Sequence, residues 1–225
     1  MIKLAILASG NGTNAQAILE AVQSGELQAD VKVVLTNKPQ AGVIARAQKF
    51  NVPVEIIPSK GIKDRDAYDA AVVECLEKYG VDTIALAGWM RILSNTFLDA
   101  FPDRIINLHP AILPSFTGGT GIQDAFDYGV KITGCTVHLV TPVLDAGPII
   151  IQAGVPVGND VDVLEAQIHR MEHMIFVQAL KWFAQDRLSV SGRTVNLKPA
   201  GSGVTYCSVI EGCLVNPPIE NQISL

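Results

Sequence analysis

A chain of 225 residues, 48% of them hydrophobic, suits one domain with a sizeable core and a small appendage. A formal net charge of −5 excludes the basic footprint of a nucleic-acid binder, and no apolar run reaches membrane-spanning length. The four cysteines, Cys75, Cys135, Cys207 and Cys213, form no C-x-x-C pair and read as reduced thiols of a cytoplasmic protein.

The N-terminal apolar run is too short for a signal peptide, and Ile2–Ala8 reads as a strand covered on both faces. Ser9-Gly10-Asn11-Gly12-Thr13-Asn14 follows, then a helical pattern over Ala15–Val22. A strand, a glycine loop and a helix start present backbone donors that suit a phosphate. A plain tight turn with Thr13 or Asn14 as the N-cap fits the same residues. Gly10 to Ala15 also reads G-x-G-x-x-A, but the second strand, Val31–Leu35, ends in Thr36-Asn37-Lys38-Pro39. No acid stands there to read a dinucleotide ribose, so the loop suits a single phosphate better.

Gly42–Phe50 is expected as a helix, Val54–Ile57 as a strand, Asp66–Tyr79 as a helix with Arg65 at its start, and Thr83–Ala87 as a strand. This alternation calls for a parallel sheet with right-handed crossovers. Gly88-Trp89-Met90-Arg91-Ile92-Leu93-Ser94 then places one arginine in an apolar loop past a strand end. It fits the lining of a flat heterocyclic pocket, and core packing fits it equally.

After a short helix at Thr96–Ala100, the run IINLHPAILPSF (Ile105–Phe116) is an apolar strand that ends in polar residues. Asn107 and His109 are two apart and project to one side, and Pro110 stops the strand. Polar, proton-handling groups at the end of a buried strand mark a candidate active site. A structural histidine is the other reading. Thr117–Gly121 has high backbone freedom, and Asp124–Gly129 is expected as a short helix. Gly134–Val140 and Ile149–Val157 are expected strands. Asp145 lies in the turn between them, placed either to orient an imidazole or to cap its own turn.

Val161–Trp182 reads as the longest helix. His169 and His173 share a face, but HRMEH is not H-E-x-x-H, so no metal site is assigned. Glu172 is read either as reaching a substrate amine or as solvated. Arg187–Leu197 is expected as a hairpin around Ser191-Gly192, and the chain from Lys198 onward as a poorly packed tail.

ASGNGTN at Ala8–Asn14, AGWMRILS at Ala87–Ser94, IINLHPAILPSF at Ile105–Phe116 and LDAGPII at Leu144–Ile150 together resemble the phosphoribosylglycinamide formyltransferase family. These are folate-dependent transferases of purine synthesis, and the likeness covers about the first 190 residues. It implies an α/β fold: an open, mostly parallel, Rossmann-like twisted sheet with helices on both faces. The formyltransferase domain would be 1–190, with a C-terminal hairpin and tail at 191–225. Residues like Gly12, Thr13 and Asn14 would bind the phosphate of glycinamide ribonucleotide, and those like His169 and Glu172 would contact that acceptor. Residues like Arg65, Met90, Arg91, Ile92, Leu93, Asn107, Val140, Leu144 and Asp145 would line the folate pocket.

The resemblance makes Asn107, His109 and Asp145 the catalytic three. It makes 10-formyltetrahydrofolate the co-substrate and implies no metal, nucleic acid or membrane partner, in a monomer or homodimer. The chain departs from the family at Gly118–Ile122, where many members carry a histidine and this one has GGTGI. Other folate-dependent formyltransferases and formyltetrahydrofolate hydrolase are the related alternatives. A methionyl-tRNA formyltransferase would carry a further C-terminal domain, and the hydrolase an extra N-terminal one. A non-catalytic nucleotide-binding module would leave Asn107, His109 and Asp145 without a joint purpose.

Overall fold

Residues 1–198 and 207–220 are described by the computed structural model. Contacts divide the chain into two units, Met1–Asn107 with Leu139–Val143, and Leu108–His138 with the described residues from Leu144 onward.

The first unit holds β1 (Ile2–Leu7), α1 (Thr13–Gln23), β2 (Ala29–Thr36), α2 (Val43–Lys49), β3 (Val54–Ile56), α3 (Arg65–Lys78), β4 (Thr83–Leu86), α4 (Asn95–Ala100) and the start of β5 (Ile105–His109). Its strand order is β5-β4-β1-β2-β3, and every pair is parallel. The sequence explains this directly. Leu4, Ala5, Ile6 and Leu7 are all fully buried, so β1 needs apolar residues on both faces and cannot alternate. One face, through Ala5, Leu7, Val33, Leu35 and Ile84, meets Tyr68, Val72 and Leu76 of α3 and Phe97 and Phe101 from α4 and its end. The two phenylalanine rings lie 5.5 Å apart.

The second unit contains the end of β5, then α5 (Gly121–Tyr128), β6 (Ile132–Leu139), β7 (Ile149–Pro156), α6 (Val161–Ala184), β8 (Leu188–Ser191), β9 (Thr194–Leu197), β10 (Ser208–Ile210) and β11 (Cys213–Asn216). Here β7 pairs antiparallel with both β6 and β11, β10 pairs with β11, and β8 and β9 make the expected hairpin. The long helix α6 packs on β7 and buries Ile168, Met171, Ile175, Phe176, Leu180 and Trp182. Asp160 caps its start by accepting from the N–H groups of Asp162 and Val163.

Three expectations are corrected. The stretch 207–220 is not a loose tail: Cys213 and Val215 of β11 are 3% and 0% exposed. It is also fastened to α6 and the turn after it, because Glu220 pairs with Arg187 at 2.7 Å and the Glu220 N–H donates to the Gln178 side chain at 2.9 Å. Residues 199–206 and 221–225 of the expected tail lie outside the described residues. Helix α5 begins at Gly121, not Asp124. A side chain at Gly121 would press on the carbonyls of Phe116 and Pro110 at 3.1 and 3.2 Å, so glycine here lets the helix start close to the preceding turn. Finally, α1 is capped by Gly12, not by Thr13 or Asn14, which form the first two helical positions.

Strand β6 lies so close to β7 at Gly134 that a Cβ there would sit 1.8 Å from the Ala153 carbonyl oxygen. The cross-strand partner Gly154 has room, its nearest neighbour being the Ile132 Cγ2 at 3.6 Å. Gly134→Ala is therefore expected to destabilise the protein by about 3 kcal/mol or more, and Gly154→Ala by less than about 1 kcal/mol. Urea unfolding midpoints compare the two, and equal midpoints would contradict the close approach.

Candidate active site

The glycine loop follows β1 in the first unit. Gly12 adopts a left-handed φ of 79°, and a Cβ there would collide with the Cβ and Cα of Val43 at 2.6 and 2.8 Å. Only glycine lets α1 start this near α2. The loop is held from α2 by Arg46, whose Nε donates to the Asn11 carbonyl at 2.8 Å and whose Nη2 donates to Asn11 Oδ1 at 3.2 Å. The Gln16 N–H closes the first turn of α1 on the Gly12 carbonyl at 2.9 Å, so the helix starts directly at the glycine loop, an end that suits an anion.

The second loop of this unit, 88–94, sits on α3. The Arg91 guanidinium lies 4.1 Å from the centre of the Tyr68 ring, and the buried Asp69 carboxylate accepts the Ser94 N–H at 2.6 Å. Arg91 is thus stacked on the protein, while Met90 and Ile92 are 63% and 51% exposed and Leu93 is buried. Arg65 is exposed at the first turn of α3, behind the Asp64 cap that accepts the Ala67 N–H. Val140 is half-buried against the core and donates its N–H to Ile105 at 2.9 Å, and Asn107 is half-buried in β5 opposite Leu86 of β4.

In the second unit His109 is 3% exposed at the end of β5. Its Nε2 lies 2.8 Å from the Phe116 carbonyl, which can only accept, so Nε2 carries a proton. Its Nδ1 faces Asp145 Oδ2 at 3.6 Å. The Asp145 side chain is 7% exposed, with the Gly118 N–H bonded to Oδ2 at 2.9 Å and His138 Nε2 at 3.9 Å from Oδ1. Phe116 and Asp145 both hold left-handed backbone, at φ of 53° and 51°. For a bulky phenylalanine this is unusual, and such residues gather at functional sites. Leu144, beside them, is 48% exposed.

The sequence reading gave no role to His138 or to Thr136. Both lie in β6, which is buried through all its residues from Thr133 to Leu139. Thr136 donates to the Ala111 carbonyl at 2.7 Å and accepts from Leu113 N at 3.1 Å and Gln152 Nε2 at 3.0 Å, which fixes the turn directly after His109. Polar residues at alternate positions of a strand buried on both faces were the available signal.

On α6 the two acceptor candidates stand apart in environment. His169 is half exposed and faces Glu165 at 3.9 Å, one turn back. Glu172 is 3% exposed, so the solvated reading of it does not hold. Its charge helps to push the buried Cys135 thiol well above the usual range, second to desolvation. Among the described residues no group of three or more His, Cys, Asp or Glu is arranged to hold a metal ion. No helix among them is long and apolar enough to cross a membrane.

A buried His–Asp pair at the end of a strand, in one chain with a glycine loop at a helix start, is joined by a direct match. The formyl transferase family model covers residues 2–180. The chain belongs to the formyl transferase family. It is 38% identical over 183 residues to the phosphoribosylglycinamide formyltransferase of Bacillus subtilis (strain 168), covering 80% of this chain and 94% of that protein. It is also 39% identical to the trifunctional purine biosynthetic protein adenosine-3 of Bos taurus over 85% of its own length, and spans about a fifth (19%) of that larger relative. The crystal structure of glycinamide ribonucleotide transformylase 1 from Symbiobacterium toebii superposes with a TM-score of 0.86 at 42% identity, covering 88% of this chain and 95% of that one. The formyl transferase fold accounts for the mostly parallel sheet with helices expected from the sequence.

The seat of the 88–94 loop can be read optically. Burial, with a smaller push from Asp69 and against the pull of Arg91, raises the Tyr68 phenol to about 12. The hydrogen bond to Glu55, 2.6 Å long, raises Tyr79 to about 12 as well. Both phenols have higher pKa values folded than unfolded. Their contribution to stability is complete below pH ~10 and lost between about 10 and 12. Titration of absorbance at 295 nm is expected to show two phenols ionising near 12, one of them absent in Tyr68→Phe. Full tyrosine ionisation by pH 11 in the folded protein would contradict this packing.

Proposed function

We propose that this chain transfers the formyl group of 10-formyltetrahydrofolate to the amine of glycinamide ribonucleotide, a step of purine biosynthesis. The observation that carries the reading is the buried His109–Asp145 pair at 3.6 Å, in a chain of the formyl transferase family that covers nearly the whole length of a phosphoribosylglycinamide formyltransferase. Free thiols support a cytoplasmic location. The formyltransferase domain is taken as 1–190, with the described residues 207–220 adding β10 and β11 beside its strand β7, in a monomer or homodimer.

The chemistry follows from the donors. The acceptor amine attacks the formyl carbon, a C–N bond forms, and negative charge develops on the formyl oxygen. Asn107 and His109, alternate residues of one strand, stabilise that oxyanion as hydrogen-bond donors. The bond from the formyl carbon to the folate nitrogen then breaks. The proton lost by the attacking amine passes to that nitrogen, with His109 as the acid–base group and Asp145 holding its ring. Gly12, Thr13 and Asn14 take the phosphate on the backbone donors of the α1 start, and His169 and Glu172 take the remainder of the acceptor. Arg65, Met90–Leu93, Val140 and Leu144 line the folate pocket, together with Asn107 and Asp145. The exposed apolar side chains of Met90 and Ile92 support this for a flat ring. His109 already spends its Nε2 proton on Phe116, so substrate must displace that carbonyl to receive the bond.

His109→Ala is expected to lower kcat by about 10²–10⁴-fold with little change in acceptor KM, because the bond matters mainly once charge develops. Loss of the phosphate, tested with glycinamide riboside, is expected to make the acceptor very poor, since each charge-assisted hydrogen bond contributes about 1.5–3 kcal/mol. Formyl transfer assayed with both acceptors decides. Equal kcat/KM for riboside and ribotide would end the phosphate-loop assignment, and release of free formate without acceptor would favour the hydrolase reading.

A further inference from the structure

We infer that Arg46 of α2 is a positioning residue for the acceptor's phosphate, setting the shape and the charge of the glycine loop; this rests on the function proposed above. Three of its nitrogens are spent on this one turn of chain. Nε and Nη2 hold the Asn11 carbonyl and side-chain oxygens at 2.8 and 3.2 Å, and Nη1 donates to the Gln16 Oε1 on the first turns of α1. The guanidinium therefore spans the loop from its middle to the helix it opens. A planar fork can hold three such acceptors at fixed angles, and an ammonium cannot. The loop needs an outside hold. Its backbone is left-handed at Gly12, and the α1 N-cap makes no side-chain hydrogen bond. The Gly10 carbonyl receives a long bond, 3.3 Å, from Val43 N.

The charge of Arg46 is also uncommitted. All three acceptors are neutral, and among the described residues no carboxylate forms an ion pair with it. The half-buried cation thus lends its field to a loop that opens a helix, and both the guanidinium and the helix start favour a dianion. Donors held in place before the ligand arrives lose no ordering entropy on binding. Arg46 shapes the donors and does not touch the reacting atoms, so its removal weakens acceptor binding and leaves chemistry at saturation intact.

Steady-state kinetics of the full chain test this with Arg46→Met and Arg46→Lys, alongside inorganic phosphate as a competitor of the acceptor. Both variants are expected to raise acceptor KM and the phosphate inhibition constant about tenfold or more, with kcat within about twofold and folate KM unchanged. An Arg46→Lys variant equal to wild type overturns the role of the fork, and unaltered acceptor KM in both variants overturns the inference altogether. A fall in kcat with constant KM does the same. If Arg46→Met fails to fold, the Arg46→Lys arm and its phosphate inhibition decide alone. The wild type separates this from the larger reading: no formyl transfer, or no competition by phosphate, overturns the function given to the loop, whereas normal wild-type behaviour with silent variants overturns only the role of Arg46.

Discussion

The second unit is arranged around a carboxylate that water hardly reaches. Asp145 is buried at the side chain, and a buried charge left unpaired costs several kcal/mol. The chain satisfies it from three separate segments: the imidazole at the end of β5, the imidazole near the end of β6, and the Gly118 N–H from the stretch between β5 and α5. The left-handed backbone at Phe116 and Asp145 is the cost of bringing them together, and the hydrogen bond of His109 to Phe116 and of Gly118 to Asp145 hold that backbone in place. The segment Gly118–Ile122, GGTGI, carries no histidine and is anchored by its backbone through the Gly118 N–H on Asp145.

The first unit solves a different problem. Its strands are mostly apolar, Asn107 of β5 being the exception that bears on the site, and their parallel register brings the ends of β1 and β4 level, with Leu7 opposite Leu86. Ser9 then joins the two loops that leave those ends. Its N–H donates to the Gly88 carbonyl at 3.0 Å and its hydroxyl accepts the Met90 N–H at 2.9 Å. The glycine loop and the 88–94 loop are in this way built on a shared, 2%-exposed residue. Each is braced again from a helix, by Arg46 in one case and by Tyr68 and Asp69 in the other.

What the sequence revealed follows the same division. Buried parallel strands announce themselves as continuous apolar runs, so β1, β2, β4 and β5 and the helices between them were legible. Asn107, His109 and the loop around Asp145 stood out because polar residues ended such runs. The hairpin β10–β11 was not legible. Its strands are three and four residues long, and they are strands because β7 offers an edge, which no local pattern records. The partners of catalytic candidates were hidden for a similar reason. His138 and Arg46 look like ordinary strand and helix residues until the fold sets them beside Asp145 and Asn11. The apolar neighbours of Arg91 fit pocket lining and core packing equally, and only the tertiary structure reveals Tyr68 beneath it.

A strand, glycine loop and helix could also belong to a dinucleotide site, and the end of β2 decides against it. A ribose reader needs a carboxylate there. Strand β2 instead ends at the fully buried Thr36, and Asn37, 6% exposed, gives its side-chain N–H to Ser59 at 2.9 Å. The position is filled by a neutral amide already engaged within the protein, and Lys38 and Pro39 follow it. The carboxylate on the neighbouring β3, Glu55 opposite Leu35, is engaged by the Tyr79 hydroxyl at 2.6 Å. What remains at the end of β1 is a glycine loop that opens a helix, with the Arg46 guanidinium fixed on it from α2, and the residue that follows β2 is a neutral amide where a dinucleotide ribose would need an acid.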